Sequence, residues 1–99
     1  MNGIVNKIIK DIKDPILYLN NSNLKRLTNL KYIINYILNN NIINKKIIEN
    51  ILDDLLDLTY CYGEELNELY FSFLNYYEKI DKEASHDYKK FYLEILKEN

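Results

Sequence analysis

The sequence is poor in the residues from which catalytic and metal sites are built. It contains one histidine, His86, one cysteine, Cys61, and no tryptophan. Zinc sites need clusters of His and Cys, which one residue of each cannot form, and a di-iron bundle needs two Glu-x-x-His motifs, whereas the sequence contains one, Glu83–His86. A glycine-rich phosphate loop and an EF-hand calcium loop are also absent. We therefore expect no enzymatic activity, no metal and no cofactor, with His86 an exposed residue near the start of the last helix.

The single cysteine and the short apolar runs bear on where the chain works. One cysteine cannot form a disulfide within the chain, which favours a reducing compartment. Acidic residues surround Cys61, so we expect a small core or subsurface residue rather than a reactive thiol. Lysines interrupt the apolar residues near the N-terminus, and no apolar run approaches the roughly 20 residues that span a bilayer. These features predict a cytoplasmic protein without a membrane partner.

Glycine and proline are scarce too, with two Gly and one Pro in 99 residues. Strands joined by tight turns would need more of both, whereas the apolar residues recur at helical spacing. The spacing predicts one all-α domain over residues 1–99, an irregular antiparallel bundle of about five helices. Predicted helices cover residues 3–13 and 24–38, and residues 15–20 are either a short helical piece or a bent continuation of the first helix. Further apolar stripes begin at Ile48, Leu66 and Tyr88.

Polar residues between these stripes predict where helices begin and end. The run Asn20–Asn23 predicts a loop, and Asn39–Asn41 predicts a helix end with an asparagine in the left-handed conformation. Asn44 is placed to cap the next helix. Gly63 either ends that helix or bends a longer one, with Glu64 and Glu65 favouring a new helix start. Either Asp81 or Ser85 caps the last helix, whose predicted apolar face is Tyr88, Phe91, Tyr92, Ile95 and Leu96.

Charge is strongly segregated along the chain. Residues 1–50 carry eight basic and three acidic side chains, a net charge of +5, and residues 51–99 carry five basic and twelve acidic ones, a net charge of −7. No basic residue lies between Lys46 and Lys79. A field of this kind steers association and does not determine the fold.

Within this acidic window, Glu49, Asp53 and Asp57 recur at helical spacing and form a ridge on one face. Like charges so placed oppose helix formation by about 0.3 kcal/mol per pair. The ridge is either a solvated face, a docking surface for a basic partner or a cation site. Five tyrosines share the window, and five cannot all enter so small a core. Tyrosines beside carboxylates are either amphipathic residues at the edge of the core or part of a binding surface.

These observations predict a protein-binding surface for a basic partner. Its predicted residues are Glu49, Asp53, Asp54, Asp57, Tyr60, Tyr62, Glu64, Glu65, Glu68 and Tyr76. Nuclease toxins carry positive clefts for phosphate, and an acidic surface complements them. Direct nucleic-acid binding is disfavoured by the net charge of −2, although Lys7, Lys10, Lys13, Lys25, Arg26, Lys31, Tyr32 and Tyr36 supply cations and aromatic rings.

Residues 44–96 resemble the small helical immunity proteins of contact-dependent and other polymorphic toxin systems. The similar elements are the acidic helix Ile48–Leu58, the segment Tyr62–Leu66 opening a helix to Tyr77, and Ile80–Glu83 before a terminal helix. The resemblance implies a protein that neutralises a cognate toxin domain, often a nuclease. The alternatives are a phage-encoded inhibitor of a bacterial defence nuclease and a structural or regulatory subunit that forms a homodimer.

Overall fold

The computed structural model of the protein describes residues 21–98, and within this range the fold is an all-α helical bundle without strands. It has four α-helices: α1, Asn21–Asn39; α2, Lys45–Tyr62; α3, Asn67–Glu78; and α4, Lys82–Glu98. A 3-10 helix, Gly63–Leu66, connects α2 to α3, so that residues 45–78 make one long joined helix. The predicted helical segments at 3–13 and 15–20 lie outside the described residues, and the total of about five helices stays a prediction.

Helix α1 is held by the apolar stripe that its sequence predicts. The stripe is buried along its length and comprises Leu24, Leu27, Leu30, Ile34 and Ile37. The helix begins at Asn21, so the predicted loop is wrong for residues 21–23. The first N–H groups of a helix have no partner inside it, so short polar side chains are tolerated there.

The connection between α1 and α2 follows its local sequence signals. Asn41 has a φ of 51°, the left-handed conformation predicted for this asparagine run. The Asn44 side chain accepts a hydrogen bond of 3.1 Å from the Ile47 backbone N–H and caps α2, as predicted. The hydroxyl of Tyr76 donates to the carbonyl of Ile42 at 2.6 Å, which fixes this connection against α3.

Gly63 both ends α2 and bends the joined helix, so the two predicted roles coincide. Its φ of 56° and ψ of −132° lie in a region that residues with a Cβ rarely adopt. Its N–H still bonds to the Thr59 carbonyl and closes the last turn of α2. Glu64 and Glu65 then occupy the first turn of the 3-10 helix.

Helices α3 and α4 pack antiparallel, and three hydrogen bonds join them. Ser85 donates to the Leu74 carbonyl at 3.0 Å, and Tyr70 donates to the Tyr88 carbonyl at 2.8 Å. At the far end, the Tyr92 hydroxyl donates to the side chain of Asn67. Residue numbers rise on one helix as they fall on the other, and the same pattern relates α1 to α2.

The start of α4 decides between the two predicted caps, and its outer side corrects the predicted apolar face. Asp81 caps the helix, since its carboxylate accepts a 3.0 Å bond from the Ala84 N–H. Ser85 is buried and is not the cap. The prediction that Phe91 joins the apolar face is wrong, because Phe91 is 47% exposed. The core-facing stripe of α4 runs through Ser85 and Tyr92, and leaves Phe91 outside it.

Most of the buried core residues belong to the joined helix. The largest fully buried side chains include Tyr70, Tyr77, Tyr92 and Phe73. The rings of Tyr70 and Tyr92 stack at a centroid distance of 4.2 Å. Among the described residues, no helix is long and apolar enough to cross a membrane.

Candidate acidic binding site

The predicted ridge lies on α2, but its first two carboxylates are bonded within the protein. Glu49 accepts a hydrogen bond from the hydroxyl of Tyr77. Asp53 accepts one from the hydroxyl of Tyr88 at 2.9 Å. Burial, followed by the bond to the carboxylate, raises the pKa of both tyrosines well above the ordinary value. These two carboxylates therefore fasten α3 and α4 to α2.

The negative charge in the middle of the acidic region is partly neutralised by a basic side chain of α1. One guanidinium nitrogen of Arg26 lies 2.9 Å from Asp54 and 3.3 Å from Asp57. The hydrogen bond to Asp54 is the main reason that the pKa of Arg26 is raised. All three side chains are partly exposed, so the pairs contribute little to stability and chiefly cancel charge.

The tyrosines of the window divide between core and surface. Tyr70 and Tyr77 are fully buried. Tyr62 and Tyr76 are half-buried, with their rings packed against the core. Within the described residues the Tyr62 hydroxyl has no hydrogen-bond partner, and burial raises its pKa. Only Tyr60 presents most of its surface to solvent, at 59% exposure.

The remaining predicted residues form one exposed group at the junction of α2, the 3-10 helix and α3. We call it the acidic stripe, and its members are Tyr60, Glu64, Glu65 and Glu68. All four are exposed, and three of them recur every fourth residue along the joined helix. No ion pair among residues 21–98 involves its three glutamates. The stripe is therefore a concentration of carboxylates that the described part of the chain leaves uncompensated.

The backbone beneath the stripe is held firmly. Leu58, Thr59 and Leu66 are buried on the opposite side of the same turns. The hydroxyl of Tyr92 lies 3.5 Å from the Gly63 carbonyl and also bonds to Asn67. A partner would therefore meet carboxylates whose backbone is already ordered, which lowers the entropic cost of binding.

Cys61 borders the stripe and does not lie in the core. The prediction of a core or subsurface residue is wrong, because Cys61 is exposed. Leu58 and Thr59 take the buried positions of that turn. The Cys61 sulfur accepts a hydrogen bond of 3.3 Å from the Asn23 side chain, so it joins the end of α2 to the start of α1.

His86 and the hydroxyls of Ser72 and Ser85 lie in different environments. His86 is exposed in the first half of α4. The Ser85 hydroxyl is directed into α3 by its bond to Leu74, and the Ser72 hydroxyl bonds to the Leu69 carbonyl of its own helix. Residues 21–98 contain no group of three or more His, Cys, Asp or Glu placed to hold a metal ion.

Sequence reasoning missed the internal partners of the acidic region. The partners Arg26, Tyr77 and Tyr88 lie 28 to 35 positions from the carboxylates that they contact. No periodic pattern connects residues so far apart. Comparisons with family models, with curated proteins and with solved structures found no match for this chain.

Proposed function

We propose that the protein is a non-catalytic inhibitor that neutralises a cognate nuclease toxin by docking the acidic stripe on its basic surface. The observation that carries the proposal is the exposure of Glu64, Glu65 and Glu68 beside Tyr60, on an ordered turn and without ion pairs in residues 21–98. The carboxylates supply charge complementarity, and the tyrosine supplies rigid contact area with a hydroxyl at its edge.

The arrangement suits inhibition of an enzyme that binds phosphate. A nuclease concentrates positive charge in its cleft, and a surface of opposite sign is drawn to it at an enhanced rate. Glu64 and Glu65 are exposed on the short 3-10 turn that begins at Gly63. Three carboxylates close together can then take the place of successive phosphates.

The proposal assigns different roles to the ten predicted residues. The contact residues are Tyr60, Glu64, Glu65 and Glu68, with Asp57 at their border. Positioning roles go to Glu49 and Asp53, which bond to tyrosines, and to Asp54, which bonds to Arg26. Tyr62 and Tyr76 support the contact residues from the edge of the core.

The two alternative functions make different demands on the stripe. A phage-encoded inhibitor of a defence nuclease would use the same surface, and the gene beside this one distinguishes the two cases. A homodimeric subunit would instead use apolar area. The exposed side chains of Tyr32, Ile33 and Tyr36 on α1 would be its contact area, and sedimentation at low and high salt tests this alternative.

The proposal is tested by reversing the charge of the stripe. The variant combines Glu64→Lys, Glu65→Lys and Glu68→Lys. The control makes the same change of net charge on the exposed side of α4, with Asp87→Lys, Glu94→Lys and Glu98→Lys. The probe is the toxin domain encoded by the adjacent gene. We expect the stripe variant to slow association by on the order of tenfold or more, and the control to have a much smaller effect.

Two results would contradict the proposal. One is an equal loss in both variants, which would indicate a general effect of net charge. The other is a wild-type chain that neither binds the adjacent gene product nor protects cells that express it. Asp53 and Asp57 are poor positions for this experiment, because their substitution also breaks bonds to Tyr88 and Arg26.

A further inference from the structure

A second surface, in the basic half of the chain, is rich in exposed apolar residues. Five of the eight large hydrophobic side chains that are exposed among the described residues lie between positions 32 and 47. We call them the tyrosine–isoleucine patch, and they are Tyr32, Ile33, Tyr36, Ile43 and Ile47. Tyr32 and Tyr36 are 78% and 57% exposed, one turn apart on the outer side of α1.

The patch is large for a chain of this size. Tyrosines bury about 150–250 Å² each at interfaces, so the five side chains expose on the order of 500 Å² together. Tyr32, Ile33 and Tyr36 are neighbours on α1, and apolar areas of a few hundred Å² mark interaction sites on small proteins. Five of the seven other exposed residues between positions 32 and 47 are asparagines, so the patch has the aromatic enrichment and low charge of an interface centre.

Charge around the patch specifies the kind of partner. No acidic residue occurs between Asp14 and Glu49. Arg26 and Lys45 are used in ion pairs with residues of the acidic half. Lys25, Lys31 and Lys46 are in none of the ion pairs among residues 21–98. A partner that covers the patch would therefore meet an uncharged centre and a positive rim.

We propose that the tyrosine–isoleucine patch docks a second protein, through a segment that combines apolar side chains with aspartate or glutamate. Aliphatic and aromatic side chains of the partner would pack between Tyr32, Tyr36 and Ile33. Its carboxylates would pair with the lysines at the rim. This surface does not depend on the acidic stripe, so the chain can engage two partners of opposite charge.

The same observations disfavour two other occupants. A second copy placed face to face would bring the rim lysines against one another. Single-stranded nucleic acid binds basic grooves lined with stacking rings. Here three lysines border a convex helix, and the isoleucines offer no stacking surface.

The proposal is tested with a displayed library of random dodecapeptides, selected on the immobilised full-length chain. Enriched sequences are synthesised, and their affinity is measured by fluorescence anisotropy. We expect enriched peptides to pair Asp or Glu with aromatic or aliphatic residues. Their affinity should fall at least tenfold in the double variant Tyr32→Ser with Tyr36→Ser. It should stay within twofold in the control, Phe91→Ser with Leu93→Ser, which removes exposed apolar residues from α4.

Charge reversal at the rim provides a second measurement. The variant Lys25→Glu with Lys46→Glu should weaken the same peptides at least threefold, and added salt should weaken them in the wild-type chain. Circular dichroism checks that each variant keeps its helices, as expected for exposed positions.

Three results would overturn the proposal. Peptides that lack carboxylates, or that bind the patch variant unchanged, would remove the predicted partner chemistry. A wild-type dimer that dissociates in the Tyr32→Ser, Tyr36→Ser variant would show a second copy as the occupant. Binding of oligo(dT) that the same variant abolishes would show a nucleic-acid surface.

Discussion

The joined helix carries acidic residues both near its start and at its bend, yet these two groups of carboxylates are in different situations. At the N-terminal end, Glu49 and Asp53 accept hydrogen bonds from tyrosines of α3 and α4. At the bend, Glu64 and Glu68 are exposed and form no ion pair among residues 21–98. Helical spacing alone does not distinguish carboxylates that bond within the protein from carboxylates that are exposed for a partner. The difference lies in whether a distant residue reaches the carboxylate.

The tyrosines associated with the two groups differ in the same way, since Tyr77 bonds to Glu49 and Tyr60 belongs to the acidic stripe. Their truncation gives the largest expected effect. Tyr77 is fully buried and Tyr60 is 59% exposed. Tyr77→Ala removes a core ring and the bond to Glu49, so the free energy of unfolding should fall by about 3–5 kcal/mol. Tyr60→Ala should change it by less than about 0.5 kcal/mol. Urea denaturation followed by circular dichroism measures both, and equal losses would refute the division.

Gly63 lies between the two groups of carboxylates, and a methyl group there should have the next largest effect on stability. No atom lies within 4 Å of a Cβ built on Gly63, so Gly63→Ala meets no steric obstacle. Its positive φ of 56° remains unfavourable for alanine. We expect the free energy of unfolding to fall by about 1–3 kcal/mol from backbone strain alone. Asn41→Gly, which relieves the other positive φ, serves as a control and should not destabilise the protein.

High pH should destabilise the protein through its buried tyrosines. Burial raises the pKa of Tyr92 to about 12 from the ordinary value of 10.0. A raised pKa in the fold gives stability that is complete below pH 10 and is lost as pH rises through 12. Each such tyrosine lowers the free energy of unfolding by at most about 1.4 kcal/mol per pH unit in that interval.

The measurement is a series of urea unfolding curves between pH 9 and pH 12. Wild type should lose stability steeply above pH 10, since Tyr70, Tyr77 and Tyr88 also have raised pKa values. Tyr92→Phe should give a shallower slope, because one group fewer titrates on unfolding. An unchanged slope in Tyr92→Phe would contradict the buried environment of the Tyr92 ring.

Local signals were enough to predict much of the fold but not the contacts of the site. The stripe of Leu24, Leu27 and Ile34, the cap at Asn44 and the positive φ of Asn41 depend on neighbours within a few residues. The start of α1 was missed because asparagine and serine suit both loops and first helical turns.

The division of the acidic region could not be predicted, for a different reason. Whether Asp54 is compensated and Glu64 is not depends on where Arg26 lies after α1 packs against α2. That placement is a property of the whole bundle, and no segment of the sequence contains it.

Arg26 also offers the smallest change in stability and the most direct test of the comparison. Its ion pairs are partly exposed, so Arg26→Gln should lower the free energy of unfolding by no more than about 1 kcal/mol. The variant leaves Asp54 and Asp57 uncompensated and extends the acidic stripe toward the N-terminal end of α2. If charge at this surface steers a basic partner, Arg26→Gln should speed association at low salt, and the gain should shrink as salt screens the field. Lys89→Gln, an equal change of charge on the exposed side of α4, is the matched control. A rate equal to that of the control would mean that net charge matters and the stripe does not. A slower rate would mean that Arg26 itself contacts the partner.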